Sequence, residues 1–162
     1  MRHFFQSLFG SSDRLSDVGK RSPGEAFVNA ITAADVYIIA AMQSDGLNAE
    51  TFTKEELLAE VERAARDLHE RRSGFEPFVY QRDGVRCLPF FSTQGLCEVF
   101  CGKYSKRRNR VFPFQVLKIK GIGVAQCSSA ADRIILNDST PHERLLSDEE
   151  KRIMEELPPR NA

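Results

Sequence analysis

The densest group of side chains able to bind a ligand lies between residues 103 and 110. It comprises Lys103, Tyr104, Lys106, Arg107, Arg108 and Arg110. Closely spaced cations neutralise phosphate or carboxylate groups, and an aromatic ring among them stacks on a nucleic-acid base or a lipid headgroup. The segment therefore predicts a basic surface loop that binds an anionic partner. The alternative interpretation is a solvated connector without a binding role.

The cysteines and histidines are candidates for metal binding or nucleophilic catalysis. Cys97 and Cys101 stand four residues apart in a predicted helix, so they share a face and could ligate one ion. The sequence supplies no second ligand pair at matching spacing, which favours buried structural thiols. A catalytic cysteine needs a nearby histidine or helix N-terminus, and the sequence places none of His3, His69 and His142 beside a cysteine. We therefore expect neither a metal site nor a cysteine nucleophile.

Two further patterns resemble parts of catalytic or cofactor-binding sites. Asp138, Ser139 and His142 could form a triad on paper, but no G-x-S-x-G turn surrounds the serine. Neighbouring loop residues of these types more often form turns and caps. Gly121 and Gly123 form the first half of a dinucleotide-binding fingerprint, without its third glycine and the acidic residue about 20 positions further on. The sequence thus predicts a protein that is not an enzyme and binds no cofactor.

The composition is that of one globular domain with balanced charge. The chain has 162 residues with 23 basic and 23 acidic side chains, so its formal net charge is +0. A zero net charge excludes a whole-protein field that attracts nucleic acid, and it favours self-association, for example as a homodimer. No signal-peptide core and no apolar run of roughly 18 residues is found. We expect a cytoplasmic protein without a membrane span, in which Cys87, Cys97, Cys101 and Cys127 are reduced.

Capping residues and hydrophobic periodicity predict the elements that hold these groups. Ser22 begins a capping box that starts a helix, and a continuous apolar run over 36–41 predicts a buried strand. A second capping box at Thr53 predicts a long helix that ends at Gly74. Residues 1–21 are expected to be a flexible tail.

In the second half, Asp83-Gly84 predicts the turn of a hairpin over 78–88, and Ser92 or Thr93 caps a short helix that ends at Gly102. The stretch 115–126 is compatible with a strand or a helix. A strand over 134–136 precedes a turn, and Ser147 caps a last helix. Strands and helices interleave, which predicts an α/β (α+β) fold with a single mixed β-sheet flanked by helices over 22–158, followed by a tail over 159–162.

The second hairpin strand carries a candidate docking surface. Pro89 removes a backbone donor and predicts an edge position or a bulge. Phe90 and Phe91 point to opposite faces, and a ring exposed beside an unpaired edge would dock a partner. The alternative is that helices cover both rings.

The same region carries a resemblance to a known family. Residues 83–93 read Asp-Gly-Val-Arg-Cys-Leu-Pro-Phe-Phe-Ser-Thr, and residues 134–139 read Ile-Ile-Leu-Asn-Asp-Ser. Both segments resemble the N-terminal domain of the SseB (enhanced serine sensitivity) family, with Asp138 where that family has proline. The resemblance covers roughly residues 23–157, and the 103–110 segment within it is not a recognised feature of that family. It implies a compact α/β domain with no established enzymatic activity and no known cofactor.

The sequence favours a non-enzymatic binding or regulatory module that engages a protein partner. The alternative is nucleic-acid or phosphate-ligand binding through residues 103–110. The candidate partner-binding residues are Phe90, Phe91, Lys103, Tyr104, Lys106, Arg107, Arg108 and Arg110.

Overall fold

The computed structural model describes residues 14–40, 55, 56, 59, 76–112 and 114–157, and these residues form five helices and a sheet. In chain order the elements are α1 (Arg14–Arg21), α2 (Glu25–Ala33), β1 (Asp35–Ala40), β2 (Tyr80–Arg82), β3 (Val85–Phe91), α3 (Gln94–Arg108), β4 (Gln115–Lys120), α4 (Ile122–Cys127), a 3-10 turn (Ser128–Ala130), β5 (Arg133–Leu136), β6 (Arg144–Leu145) and α5 (Asp148–Glu155). The predicted helix over 53–74 lies outside the described residues, apart from 55, 56 and 59, which are helical.

The described strands form one mixed sheet of six strands, which confirms the predicted α+β class. The strand order is β4-β1-β3-β5-β6, and β2 also pairs with β3. β3 and β5 run parallel, whereas β1 pairs antiparallel with both β3 and β4. The carboxyl ends of β3 and β5 therefore meet at the same edge of the sheet, where α3 begins and where the 137–143 loop leaves β5.

The two faces of the sheet bury separate cores because side chains alternate along each strand. Ile38 and Phe90 belong to the larger core, which packs against α1, α2, α4 and α5. Ile39 and Phe91, one residue further along their strands, belong to a smaller core under α3. The smaller core is rich in aromatic rings, and α3 is the described helix that packs on it.

β3 lies inside the sheet, so the prediction of an exposed docking surface at its phenylalanines is wrong. Phe90 and Phe91 are both 0% exposed, as the alternative interpretation expected. Pro89 does not lie on an edge strand, because β3 pairs with β5 on one side and with β1 and β2 on the other. It stands where the partner of β3 changes from β2, at Cys87, to β1, at Phe90. A residue without a backbone N–H is tolerated at this junction, and the two rings can then cover opposite faces.

The basic segment is helical, which corrects the predicted loop. Thr93 caps α3 as predicted, with its hydroxyl accepting from the backbone N–H of Leu96 at 3.3 Å. Gly102 does not end the helix, because burial of the inner face compensates for the roughly 1 kcal/mol that an interior glycine costs. The helix continues to Arg108 and ends at Asn109, whose left-handed φ of 48° closes it. Residues 103–108 are therefore the last turns of α3.

The amino-terminal elements also differ from the prediction. Residues 14–21, expected within the flexible tail, form α1 and bury Leu15 and Ser16 against the core. The helix α2 begins at Glu25 with Gly24 as its N-cap, rather than at Ser22. Gly24 adopts a φ of 80°, which favours glycine, and its N–H donates to the Glu150 carboxylate at 2.9 Å. A distant carboxylate thus replaces the local serine as the capping group.

Candidate functional site

Three exposed cations form the last turn of α3, and we call Lys106, Arg107 and Arg108 the basic helix end. Among the described residues, no carboxylate lies within ion-pair distance of these three side chains. Lys118, by contrast, is paired with Asp35 at 3.2 Å. The basic helix end therefore consists of three exposed cations without an ion-pair partner in the described part of the chain.

The position of these cations also has a local structural cause. The carboxyl end of a helix carries unpaired carbonyl groups and a partial negative charge, which cations in the last turn stabilise by about 0.3–1 kcal/mol each. The inner residues Leu96, Cys97 and Phe100 hold the first turns of α3 against the sheet. This packing fixes the backbone of the helix, and the cations follow in its last turn, where they are exposed.

Tyr104 lies in an aromatic cluster rather than on an open surface. Its ring centroid is 5.2 Å from that of Phe112, 5.3 Å from that of Phe78 and 5.9 Å from that of Phe100. The Arg108 guanidinium lies 5.5 Å from the Tyr104 ring centroid, close enough for a cation–π contact. These contacts anchor the end of α3 and orient Arg108. Tyr104 is therefore committed to contacts within the protein.

The other two predicted basic residues differ in their surroundings. Lys103 is an exposed residue, but its side chain has a partner: Nζ donates to the carbonyl oxygen of Ser139 at 2.6 Å. Arg110 is exposed and follows the helix cap. Lys103 therefore connects α3 to the loop that follows β5, and the basic helix end lies one turn beyond this connection.

The loop over 137–143 holds a polar network that the sequence did not predict. Asp138 is 0% exposed, and its carboxylate accepts hydrogen bonds from the hydroxyl groups of Tyr80 and Ser139, the latter at 2.9 Å. Burial raises the pKa of the Asp138 carboxyl, although the bonds from Tyr80 and Ser139 act in the opposite direction. A guanidinium nitrogen of Arg82 lies 3.4 Å from Oδ1 of Asp138 and 2.9 Å from Oε1 of Glu143. The network ties β2 to the loop.

The candidate triad is not assembled in this loop. Ser139 donates its hydroxyl proton to Asp138, which is the partner that the histidine of a triad would need. The backbone N–H of His142 donates to the Thr140 hydroxyl oxygen at 3.2 Å. Among the hydrogen bonds of the described residues, none joins the His142 ring to Ser139 or Asp138. The three residues serve the turn instead.

The cysteines are free thiols, and two of the four are buried. The hydrogen bond to Cys101 and burial raise the pKa of the Cys97 thiol well above its usual range. Burial also raises the pKa of Cys87 and of Cys127. These environments favour the unreactive thiol form. No group of three or more potential metal ligands occurs within the described part of the chain.

The Gly-Ile-Gly segment has a packing reason. A side chain at Gly121 would place its Cβ 1.8 Å from the carbonyl oxygen of Ile31 in α2. Gly121 is the N-cap of α4, so the close approach of α2 to the junction between β4 and α4 requires glycine. Gly121 therefore makes the turn from β4 into α4, and Ile122 and Gly123 are the first residues of that helix.

Comparisons of the chain with protein-family models, with curated proteins and with solved structures found no match. The resemblance to the SseB family accordingly stays a prediction from the quoted residues. In the part of the chain that the structure describes, no helix has the length and apolar character needed to cross a membrane.

Proposed function

We propose that this protein is a non-enzymatic, cytoplasmic binding module that engages an acidic segment of a protein partner through the basic helix end. The observation that carries the proposal is the exposure of Lys106, Arg107 and Arg108 on one turn, with no carboxylate partner among the described residues. Arginine is well suited to such a surface, because its planar guanidinium forms paired hydrogen bonds with a carboxylate.

The size of the surface favours an acidic protein segment over a nucleic acid. Residues 106–108 rise about 3 Å along the helix axis, so their side chains fan out around one turn. Nucleic-acid binding with a steep salt dependence typically involves roughly 6–10 phosphate contacts, and the chain has no net positive charge to add long-range attraction. Tyr104, the ring expected to stack on a base, is committed to contacts within the protein.

Other observations are consistent with a binding role in the cytoplasm. The four cysteines are free thiols, as is usual for a protein that stays in a reducing compartment. The resemblance to the SseB N-terminal domain implies a regulatory or binding role without a cofactor. The buried Phe90 and Phe91 leave the helix end as the better supported of the surfaces predicted from the sequence.

The proposal is tested by measuring the affinity of a fluorescently labelled hexaglutamate peptide by anisotropy. The variant Arg107→Gln/Arg108→Gln removes two cations from the basic helix end. We expect its affinity to fall about two- to thirtyfold, since each of the two exposed charge contacts contributes about 0.2–1 kcal/mol. A single-stranded oligonucleotide of equal charge is titrated in parallel.

The matched control is Arg21→Gln/Arg152→Gln, which removes the same charge from two exposed helical arginines elsewhere. The proposal predicts that this control binds the peptide like wild type. If both variants weakened peptide binding equally, the loss would be explained by net charge alone. That result would contradict binding at the basic helix end. Tighter binding of the oligonucleotide than of the peptide, lost with Arg107 and Arg108, would replace the protein partner by a nucleic acid.

A further inference from the structure

The loop after β5 contains a carboxylate-binding site whose occupant is a side chain of the protein itself. Glu143 Oε2 accepts from the backbone N–H of Ser139 at 2.8 Å. Its other oxygen, Oε1, accepts from the Arg82 guanidinium at 2.9 Å. We call the Arg82 guanidinium and the Ser139 N–H the carboxylate-binding site. One oxygen of Glu143 thus accepts from a cationic donor and the other from a backbone donor. Charge-assisted hydrogen bonds of this kind are a common way in which proteins recognise a carboxylate.

The backbone of the loop contributes to this site. Asn137 and Ser139 adopt left-handed φ values of 53° and 59°. Where left-handed residues alternate with right-handed ones, successive backbone N–H groups point toward the same side of the chain. They then form a concave site that attracts anions. Such conformations cost non-glycine residues about 1–3 kcal/mol and persist where surrounding contacts hold them. Asn137 accepts from the Ser92 N–H at 2.9 Å, and this bond helps to hold the loop.

The site is open to solvent. The Arg82 side chain is 43% exposed and the Glu143 side chain is 31% exposed. Glu143 lies at the end of the 137–143 loop, directly before β6. Its side chain can therefore rotate away from the site without disrupting a helix or strand. An external carboxylate can therefore reach the donors when Glu143 rotates away.

The same site is connected to α3, the helix that carries the basic helix end. Lys103 donates to the Ser139 carbonyl oxygen, so the loop contacts α3 one turn before Lys106. Asp138 borders the site from the protein interior, and the hydroxyl groups of Tyr80 and Ser139 donate hydrogen bonds to its carboxylate.

We propose that Arg82 and the Ser139 N–H form a second anchor for a carboxylate of the acidic partner, and that Glu143 is the internal competitor which this carboxylate displaces. The inference rests on the proposed function, since it names a second contact for the same class of partner. Because a tethered group competes at an effective concentration of about millimolar or more, its removal raises the affinity for an external carboxylate.

The test uses the same labelled hexaglutamate peptide with the full chain. Glu143→Ala is expected to bind it about tenfold more tightly than wild type, and the double variant Glu143→Ala/Arg82→Gln is expected to lose that gain. The Ser139 amide signal, followed by NMR, should shift on titration of Glu143→Ala with succinate. Circular dichroism and thermal unfolding confirm that each variant is folded.

Two outcomes overturn this inference. One is unchanged affinity in a folded Glu143→Ala variant, and the other is a gain that survives Arg82→Gln. Its failure is distinguishable from failure of the proposed function. Adding Arg107→Gln/Arg108→Gln to Glu143→Ala should weaken binding but preserve the gain relative to Arg107→Gln/Arg108→Gln alone. If those two arginines have no effect while the Glu143 gain persists, the basic helix end is excluded and the carboxylate-binding site stands.

Discussion

Removing the Glu150 carboxylate should destabilise the fold more than any other change to the acidic residues at the start of α5. Glu150 is 1% exposed and accepts from three donors. These are the N–H of Gly24, at 2.9 Å, the N–H of Ser147, at 2.9 Å, and the guanidinium of Arg144, at 2.7 Å. One side chain therefore caps two helices and neutralises a largely buried cation.

The magnitude follows from what Glu150→Ala leaves behind. Arg144 stays in place, with its guanidinium carbon 3.6 Å from the Phe27 ring centroid, and loses its counter-ion. Removing one partner of a buried ion pair typically costs about 3–5 kcal/mol, and we expect a loss of that size in the free energy of unfolding. Glu150→Gln keeps an acceptor oxygen but no charge, so its loss should be smaller.

The effect should also depend on pH. Burial alone would raise the pKa of the Glu150 carboxyl, but the bonds from Gly24, Ser147 and Arg144 outweigh it and hold the pKa below its ordinary value of 4.5. A depressed folded-state pKa stabilises the protein above about pH 4.5, and this contribution is lost as the pH falls through the folded-state value. The difference in stability between wild type and Glu150→Gln should therefore shrink in acid.

The assay is urea unfolding followed by circular dichroism at neutral and acidic pH. The matched control is Glu149→Ala, because Glu149 is an exposed acid in the same first helical turn. Surface changes of this kind usually stay within about 0.5 kcal/mol. A Glu150→Ala loss no larger than that of Glu149→Ala would refute the reasoning, as would a Glu150→Gln difference that grows in acid.

Two further changes test the packing and the loop network. Gly121→Ala should cost about 3 kcal/mol or more, since its Cβ would lie 1.8 Å from the Ile31 carbonyl oxygen. Gly102→Ala, in an exposed helical position with nothing within 4 Å of the added Cβ, should instead stabilise by about 0.5–1 kcal/mol. Thermal unfolding of both variants checks the pair, and equal effects would contradict the packing assignment. Tyr80→Phe should cost about 1.5–3 kcal/mol, because it removes a donor to buried Asp138. Tyr37→Phe, a half-buried tyrosine on β1, is the control for urea unfolding, and an equal loss in both variants would argue against the Tyr80–Asp138 bond.

Elements specified by neighbouring residues could be predicted from the sequence. Asp83 and Gly84 adopt φ values of 54° and 78°, as a tight hairpin turn requires. Ser147 and Glu150 form the predicted capping box, with the Ser147 hydroxyl accepting from the Glu150 N–H at 3.2 Å. In each case the determining contacts span a few residues, so the local pattern suffices.

Features specified by distant partners could not be predicted. The group that caps α2 is Glu150, which lies 126 residues from Gly24 in sequence. Phe90 and Phe91 are buried because helices cover both faces of the sheet at β3, and no local pattern around Pro89 reveals those distant partners.

The candidate site divides in the same way. Lys106, Arg107 and Arg108 were identified from composition alone, although their helical conformation was not. Arg82 and Glu143, 61 residues apart, carry no sequence signal that connects them, because charged residues are common and their pairing depends on the fold. Sequence therefore indicates which groups carry charge, and the structure decides which of them stay available to a partner.

The most direct test of the central claim is an NMR titration of the protein with the hexaglutamate peptide, following the backbone amide signals. The account predicts that the largest shifts fall on residues 103–110 and that Arg107→Gln/Arg108→Gln reduces them at matched peptide concentration. Largest shifts in another part of the molecule, unchanged by that variant, would contradict the assignment of binding to the basic helix end.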